Sequence, residues 1–128
     1  MIKIKHVMDA VETDDGQRIW VESYGLTRDL QQWCGVTHVL SHLGPPAALR
    51  DWFDEHCNGS GDGYDFFRAR YHEVLGKGPY KAALQKLACA GRSENFTLLY
   101  DGEDAEHNTA TALYEFLSEL TAYCPPEL

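Results

Sequence analysis

The stretch that decides the fold is FTLLY at residues 96–100, which is followed at once by DGEDAEHN at residues 101–108. The first part is an unbroken apolar run between polar segments, and such a run is typical of a strand covered on both faces. We therefore expect residues 96–100 to form the central strand of a sheet. After the polar loop, an apolar stripe within residues 105–120 predicts a long helix that returns across this sheet.

Further strands are predicted on the N-terminal side. The alternating segment IKIK at residues 2–5 predicts a half-buried strand, and RIWVESY at residues 18–24 is rich in β-forming residues. A turn at residues 13–16 separates the two. The β-branched segment GVTHVLSH at residues 35–42 predicts a third strand.

Helices are expected between these strands. The predicted helices cover residues 27–33 with Thr27 as cap, residues 46–53, residues 66–76 and residues 80–90. The glycine-rich segment at residues 58–63 predicts a surface loop. Strands that alternate with helices indicate an α/β fold: a single-domain sandwich over residues 1–128, with a small mixed, mostly parallel sheet of about four strands and helices on its faces.

Composition limits the classes of function. The 128 residues are 44% apolar and carry a formal net charge of −9, which indicates one folded domain with a real core. Negative charge disfavours binding to nucleic acid, since phosphates would be repelled. No apolar run approaches the length of a membrane span, and the N-terminus does not have the pattern of a signal peptide. We predict a cytoplasmic protein with no membrane partner, no cofactor and an oligomeric state that the sequence leaves open.

The four cysteines do not form a C-x-x-C pair, and in a reducing compartment they are expected to be free thiols. Cys89 lies in an apolar run and is expected in the core. The spacing of Cys34, His38 and His42 would suit three metal ligands on a helix, but the segment has the composition of a strand. We therefore interpret the two histidines as residues at a strand and its end, and predict no metal there.

The loop at residues 101–108 is the candidate site, because ligands of open α/β sheets bind beyond the carboxyl ends of strands. It holds four carboxylates, a histidine and an asparagine. The structural alternative makes Asp104 the cap of the following helix. In the functional hypothesis, His107 is an acid or base that Asp104 orients. The residues expected to hold a small polar ligand are Asn108, Arg28, Tyr24 and Asp101.

Several blocks of the chain resemble the uncharacterised DUF488 family, in its short YeaO-like branch. The blocks are IKIK from residue 2, DGxR from residue 15, LRxWF from residue 49 with His56 after it, FRxRYxxxL from residue 67, and LLY from residue 98 with DxxHNxA from residue 104. Together they cover nearly the whole chain. The resemblance implies an α/β fold and supplies no established reaction.

The departures from the family pattern fall near the candidate site. The family's usual run Asp-Arg-Leu-Trp-Pro-Arg-Gly is replaced by ESYGLTR at residues 22–28, so that Arg28 is displaced by one position from the second arginine. In the last block, small and basic residues become Asp101, Gly102 and Glu103. An anion would be held less well here, which implies a changed ligand or a lost activity. The gained carboxylates leave open a divalent-cation site in the same loop, and the acidic surface leaves open a non-catalytic interaction protein.

Overall fold

The computed structural model describes residues 1–56 and 63–126. The strands are β1 (Ile2–His6), β2 (Gln17–Trp20), β3 (His38–Val39) and β4 (Phe96–Tyr100). The helices are α1 (Arg28–Trp33), α2 (Ala47–His56), α3 (Tyr64–Lys77), α4 (Lys81–Ala90) and α5 (Thr109–Thr121). The predicted α/β class is confirmed. The predicted loop at residues 58–63 lies, apart from Gly63, outside the described residues.

The sheet has the order β1-β4-β2-β3, and every pairing in the described part of the chain is parallel. β4 is central as predicted, since Leu98 is in register with Ile4 on one side and with Ile19 on the other. Its residues 96–99 are buried. Parallel neighbours cannot be joined by tight hairpins, and helices therefore form most of the crossovers.

The two faces of the sheet carry different cores. Leu98 and Ile19 belong to the larger cluster, to which α3 contributes Phe67 and α5 contributes Leu113. The smaller cluster, on the other face, consists of Val7, Trp20, Cys34 and Leu99. Because successive residues of a strand point to opposite faces, Leu98 and Leu99 anchor different layers. α1 lies on the face away from the four longer helices.

A network of buried charges lies on the face of the sheet that carries the smaller core. Asp15 is fully buried just before β2 and pairs with Arg18 at 2.8 Å and with Lys5 at 2.9 Å. Burial would raise the pKa of Asp15, but hydrogen bonds from Lys5, Lys3 and Arg18 hold it well below its ordinary value. Gly16 follows with φ of 62° against the backbone of Asn95, a position where a side chain would collide.

Three predicted elements are shorter than expected. β2 ends at Trp20, whereas the sequence predicts a strand that continues to residue 24. β3 covers only His38–Val39 and is followed by a 3₁₀ turn at Ser41–Leu43. The buried Tyr71 hydroxyl donates a 2.6 Å hydrogen bond to the Leu43 carbonyl of this turn. α5 begins at Thr109 rather than near residue 105. The residues before it form a separate turn, which is described with the site below.

The prediction that all cysteines are free thiols is wrong. Cys89 at the end of α4 is bonded to Cys124 after α5, with their Cα atoms 5.6 Å apart. α4 and α5 pack side by side, which brings together two residues separated by 35 positions in sequence. Cys34 is free and buried among the residues of the smaller core.

Candidate functional site

The candidate site lies where β2 and β4, which are neighbours in the sheet, end at the same edge. The segment after β2 supplies Glu22 and Tyr24, and the segment after β4 supplies the loop 101–108. α2 adds Arg50, and α5 begins here with Thr109. Chain segments from four elements therefore converge at the carboxyl edge, where parallel sheets place their ligands.

A hydrogen bond joins the two strand ends directly. The Tyr24 hydroxyl donates to Oδ2 of Asp101 at 3.2 Å, although the two residues are 77 positions apart. Trp20, a residue of the smaller core, holds Tyr24 in place, since its Nε1 donates to the Tyr24 carbonyl at 3.1 Å and its ring meets the tyrosine ring edge-on. Burial, with Glu22 and Asp101 nearby, holds the pKa of Tyr24 above its ordinary value, and the hydroxyl stays a donor.

Arg50 is the cation of the site. Its Nε donates to Oε2 of Glu22 at 3.0 Å, its Nη1 binds Asp54, and its guanidinium lies 5.7 Å from the centre of the Tyr24 ring. The Phe53 ring contacts the guanidinium as well, at 4.9 Å. Burial alone would lower the pKa of Arg50, but the carboxylates of Glu22 and Asp54 raise it. Arg50 is thus a fixed positive charge that two carboxylates already neutralise.

Glu22 is the buried acid of the site, with 2% of its side chain exposed. Burial raises its pKa, against the opposing charge of Arg50. The hydroxyl of Thr109 faces this carboxylate and lowers the pKa in turn, yet its Oγ1 makes no well-formed hydrogen bond to any described residue. A buried hydroxyl without a partner is unusual in folded proteins.

Asp104 and His107 form the pair that the sequence predicts. Oδ2 of Asp104 lies 2.8 Å from Nδ1 of His107, while Oδ1 accepts from the backbone N–H groups of Glu106 and His107. The Glu106 and His107 contacts hold the pKa of Asp104 below its ordinary value. Nδ1 is therefore the occupied ring nitrogen, and no described residue bonds Nε2. The histidine ring meets Tyr64 edge-on at 5.0 Å.

Asn108, rather than Asp104, is the cap of α5, so the structural alternative for Asp104 is wrong. Oδ1 of Asn108 accepts from the N–H of Thr111 at 2.8 Å, and its Nδ2 donates to the carbonyl of Asp104 at 3.0 Å. The side chain is 5% exposed. Asp104 instead organises the turn that precedes this cap. Asn108 thus supports the site from within, and its predicted contact with a ligand stays a prediction.

Arg28 lies apart from these contacts. It is exposed at the start of α1, and within residues 1–56 and 63–126 it makes no ion pair or hydrogen bond. The guanidinium beside Tyr24 belongs to Arg50 instead. Arg50 lies in the LRxWF segment, which entered the sequence analysis only through the resemblance. The sequence does not predict its role, because the pattern of a helix does not show which distant residue an arginine on it will contact. Glu22 was equally missed, although an acidic residue two positions after a buried strand could have indicated it.

The described residues contain no group of three or more histidine, cysteine or carboxylate side chains that could hold a metal ion. The divalent-cation alternative therefore has no ready-made ligand set in that part of the chain. Nor does any helix there have the length and apolarity needed to cross a membrane.

Comparisons with known proteins agree with the resemblance. A family model described as the inactive DUF488-N3 subclade matches residues 1–124. The uncharacterized proteins Rv3073c of Mycobacterium tuberculosis and Mb3100c of Mycobacterium bovis are each 30% identical over 98 residues, or 72% of this chain and 73% of theirs. No solved structure is significantly similar to the chain. The predicted YeaO-like branch is not tested by these matches.

Proposed function

The chain belongs to the DUF488-N3 subclade described as inactive, and from that premise we propose that it is a non-catalytic protein that binds a small polar ligand at the carboxyl ends of β2 and β4. The observation that carries the proposal is the Tyr24–Asp101 hydrogen bond beside the buried Arg50–Glu22 pair. This arrangement joins the segments that follow β2 and β4 in one polar surface, and the Trp20 side chain holds Tyr24 in place there.

The charges at this surface favour a ligand that donates hydrogen bonds. Asp101 is exposed and presents a carboxylate, and Glu103 and Asp104 add negative charge in the same loop. Arg50 offers little to an anion, because Glu22 and Asp54 already bind it. An amine, amide or guanidinium group matches these acceptors, and a planar guanidinium can bind a carboxylate through two parallel hydrogen bonds.

His107 and Asp104 take part as ligand-orienting residues in this proposal. The Asp104–His107 contact fixes the imidazole so that Nε2 is the nitrogen offered to a ligand. The description of the family as inactive supports binding without turnover. Membership of the YeaO-like branch, the cytoplasmic location and the ligand role of Arg28 remain proposals.

The test is an NMR titration of the ¹⁵N-labelled protein with methylguanidine, and with inorganic phosphate as the contrasting anion. We expect saturable shifts of the Tyr24 and Gly102 amides with methylguanidine and none with phosphate. Asp101→Asn removes the acceptor and should weaken binding by about tenfold or more, the effect of losing one charged hydrogen bond. Tyr24→Phe should weaken binding less, because it leaves the carboxylate in place.

Matched controls separate the site from the general acidic surface. Asp29→Asn removes another exposed carboxylate, on α1, and Tyr123→Phe removes the hydroxyl of a tyrosine that is 79% exposed. Both variants should bind methylguanidine as the parent does. The proposal is wrong if Asp29→Asn weakens binding as much as Asp101→Asn, or if phosphate competes with methylguanidine at the same amides.

A further inference from the structure

A second cavity lies at the same edge of the sheet, beyond β2 and β3. It has a volume of about 280 Å³ and is lined by the loop of residues 41–46, by residues between Val74 and Tyr80, and by Ser23. Tyr24, Asp101 and His107 of the proposed ligand site do not line it. It is therefore a feature of the molecule that is separate from the proposed ligand site.

The walls of this cavity are held in place by the core. The Tyr71 hydroxyl, fully buried, binds the Leu43 carbonyl at 2.6 Å, and this contact fixes the loop. Gly44 approaches β2 so closely that a Cβ there would lie 2.4 Å from the Val21 carbonyl oxygen. Three prolines, at positions 45, 46 and 79, add rigid walls. A cavity built in this way is formed before any ligand arrives.

Polar side chains that make no hydrogen bond in the described part of the chain line the cavity. Ser23, Ser41, His42 and Tyr80 make no side-chain hydrogen bond within residues 1–56 and 63–126, and the His42 and Tyr80 rings lie 4.8 Å apart. The lining includes neither lysine, arginine, aspartate nor glutamate. The cavity therefore offers hydroxyl and ring groups within a largely apolar wall, and this chemistry suits a neutral ligand.

We propose that this cavity binds a neutral, flat, bicyclic aromatic molecule with one hydrogen-bonding edge. A cavity of about 150 Å³ holds benzene, so that 280 Å³ is close to the space of two fused rings. The flat proline and glycine walls accept the ring faces, and Ser23 and Ser41 accept or donate at its polar edge. Val74 and Tyr80, each 42% exposed, form the mouth through which the ligand enters.

Benzimidazole is the probe, with imidazole as the single-ring comparison, in an NMR titration at about pH 8.5, where an imidazole ring is neutral as well. We expect saturable shifts of the Gly44 and Gly78 amides, with a dissociation constant of about 1 mM or tighter for benzimidazole. Imidazole should bind at least about tenfold more weakly, because it buries one ring fewer. Ser41→Ala should weaken benzimidazole by about three- to tenfold, the effect of one neutral hydrogen bond.

Cavity-filling variants localise the binding. Val74→Phe should fill the mouth and abolish the shifts, whereas Ala69→Phe adds the same ring at an exposed position of α3 outside the cavity and should leave them unchanged. If Val74→Phe does not fold, Val74→Leu serves in its place and should weaken binding. The inference is overturned by the absence of saturable shifts at millimolar benzimidazole, by equal binding of imidazole, or by binding that Val74→Phe leaves intact. None of these outcomes bears on methylguanidine binding at Asp101.

Discussion

Replacing Arg50 with alanine is the perturbation that the site predicts most sharply. The substitution leaves Glu22 as a carboxylate with 2% of its side chain exposed and without its cation. Breaking a buried ion pair by removal of one partner costs about 3 to 5 kcal/mol, because the remaining charge is desolvated and uncompensated. We expect a loss in this range, a large share of the stability of a domain this size.

The assay is urea denaturation followed by fluorescence. With a slope near about 1.5 kcal/mol per molar urea, a loss of 3 kcal/mol lowers the midpoint by about 2 M. Arg68→Ala is the matched control, because Arg68 also bridges two carboxylates, Asp65 and Glu115, but with 37% of its side chain exposed. Exposed pairs contribute about 1 kcal/mol or less. The control should therefore move the midpoint far less.

The loss should also depend on pH in a defined direction. Because burial holds the pKa of Glu22 above its ordinary value of 4.5, the folded chain binds a proton more readily than the unfolded chain. The stability linked to Glu22 is therefore fully present below this ordinary pKa and is lost as pH rises through the folded-state pKa. Without Arg50 the pKa of Glu22 rises further, so that the stability deficit of Arg50→Ala should be larger at about pH 8 than at about pH 5.

A double variant completes this test. Glu22→Gln combined with Arg50→Met removes both charges and should recover about half or more of the loss, because the isolated buried charge is gone. The reasoning is refuted if Arg50→Ala and Arg68→Ala lower the midpoint equally, or if the deficit of Arg50→Ala grows as the pH falls.

Three further predictions concern stability. Leu98→Ala should cost about 2 to 5 kcal/mol, since Leu98 is fully buried at the centre of the sheet; an unchanged urea midpoint would contradict its central place. Asn108→Ala should cost about 1 kcal/mol through loss of the α5 cap, while Asp104→Ala leaves that cap intact. The urea midpoint should therefore be lower for Asn108→Ala than for Asp104→Ala, and the opposite order would contradict the assignment of the cap. Cys124→Ser should cost about 4 kcal/mol, the loop entropy for a separation of 35 residues, whereas a midpoint insensitive to reducing agent would show that the bond does not form.

Patterns that involve neighbours in sequence predicted the fold well. The apolar run at residues 96–100 is the central strand, Thr27 caps α1 by accepting from the N–H of Leu30, and α4 ends at Ala90 as predicted. Each depends on local backbone chemistry or on hydrophobic periodicity. The start of α5 was misplaced because Asp104 and Asn108 are both good caps, and sequence alone does not decide which of two adjacent turns begins the helix.

The contacts of the candidate site were predicted in part, because some of them join residues that are close in sequence or lie at one edge of the sheet. Asp104 and His107 are three residues apart, and the local turn brings them together. Tyr24 and Asp101 meet because parallel strands end at one edge, which the fold class implies. The pairing of Arg50 with Glu22 and that of Cys89 with Cys124 depend on how α2 and α4 pack, and no local pattern encodes that packing. Arg28 is exposed at the start of α1 and makes no ion pair or hydrogen bond within the described residues, so its predicted contact with a ligand stays a prediction.

The most direct measurement is a crystal structure of the protein grown with methylguanidine. We predict one bound molecule at the edge of β2 and β4, with its N–H groups within hydrogen-bond distance of the Asp101 carboxylate and its plane near the Tyr24 hydroxyl and Nε2 of His107. A structure of the same crystals with this surface empty, or with methylguanidine bound only at other carboxylates, would contradict the claim that Tyr24, Asp101 and His107 form a ligand site.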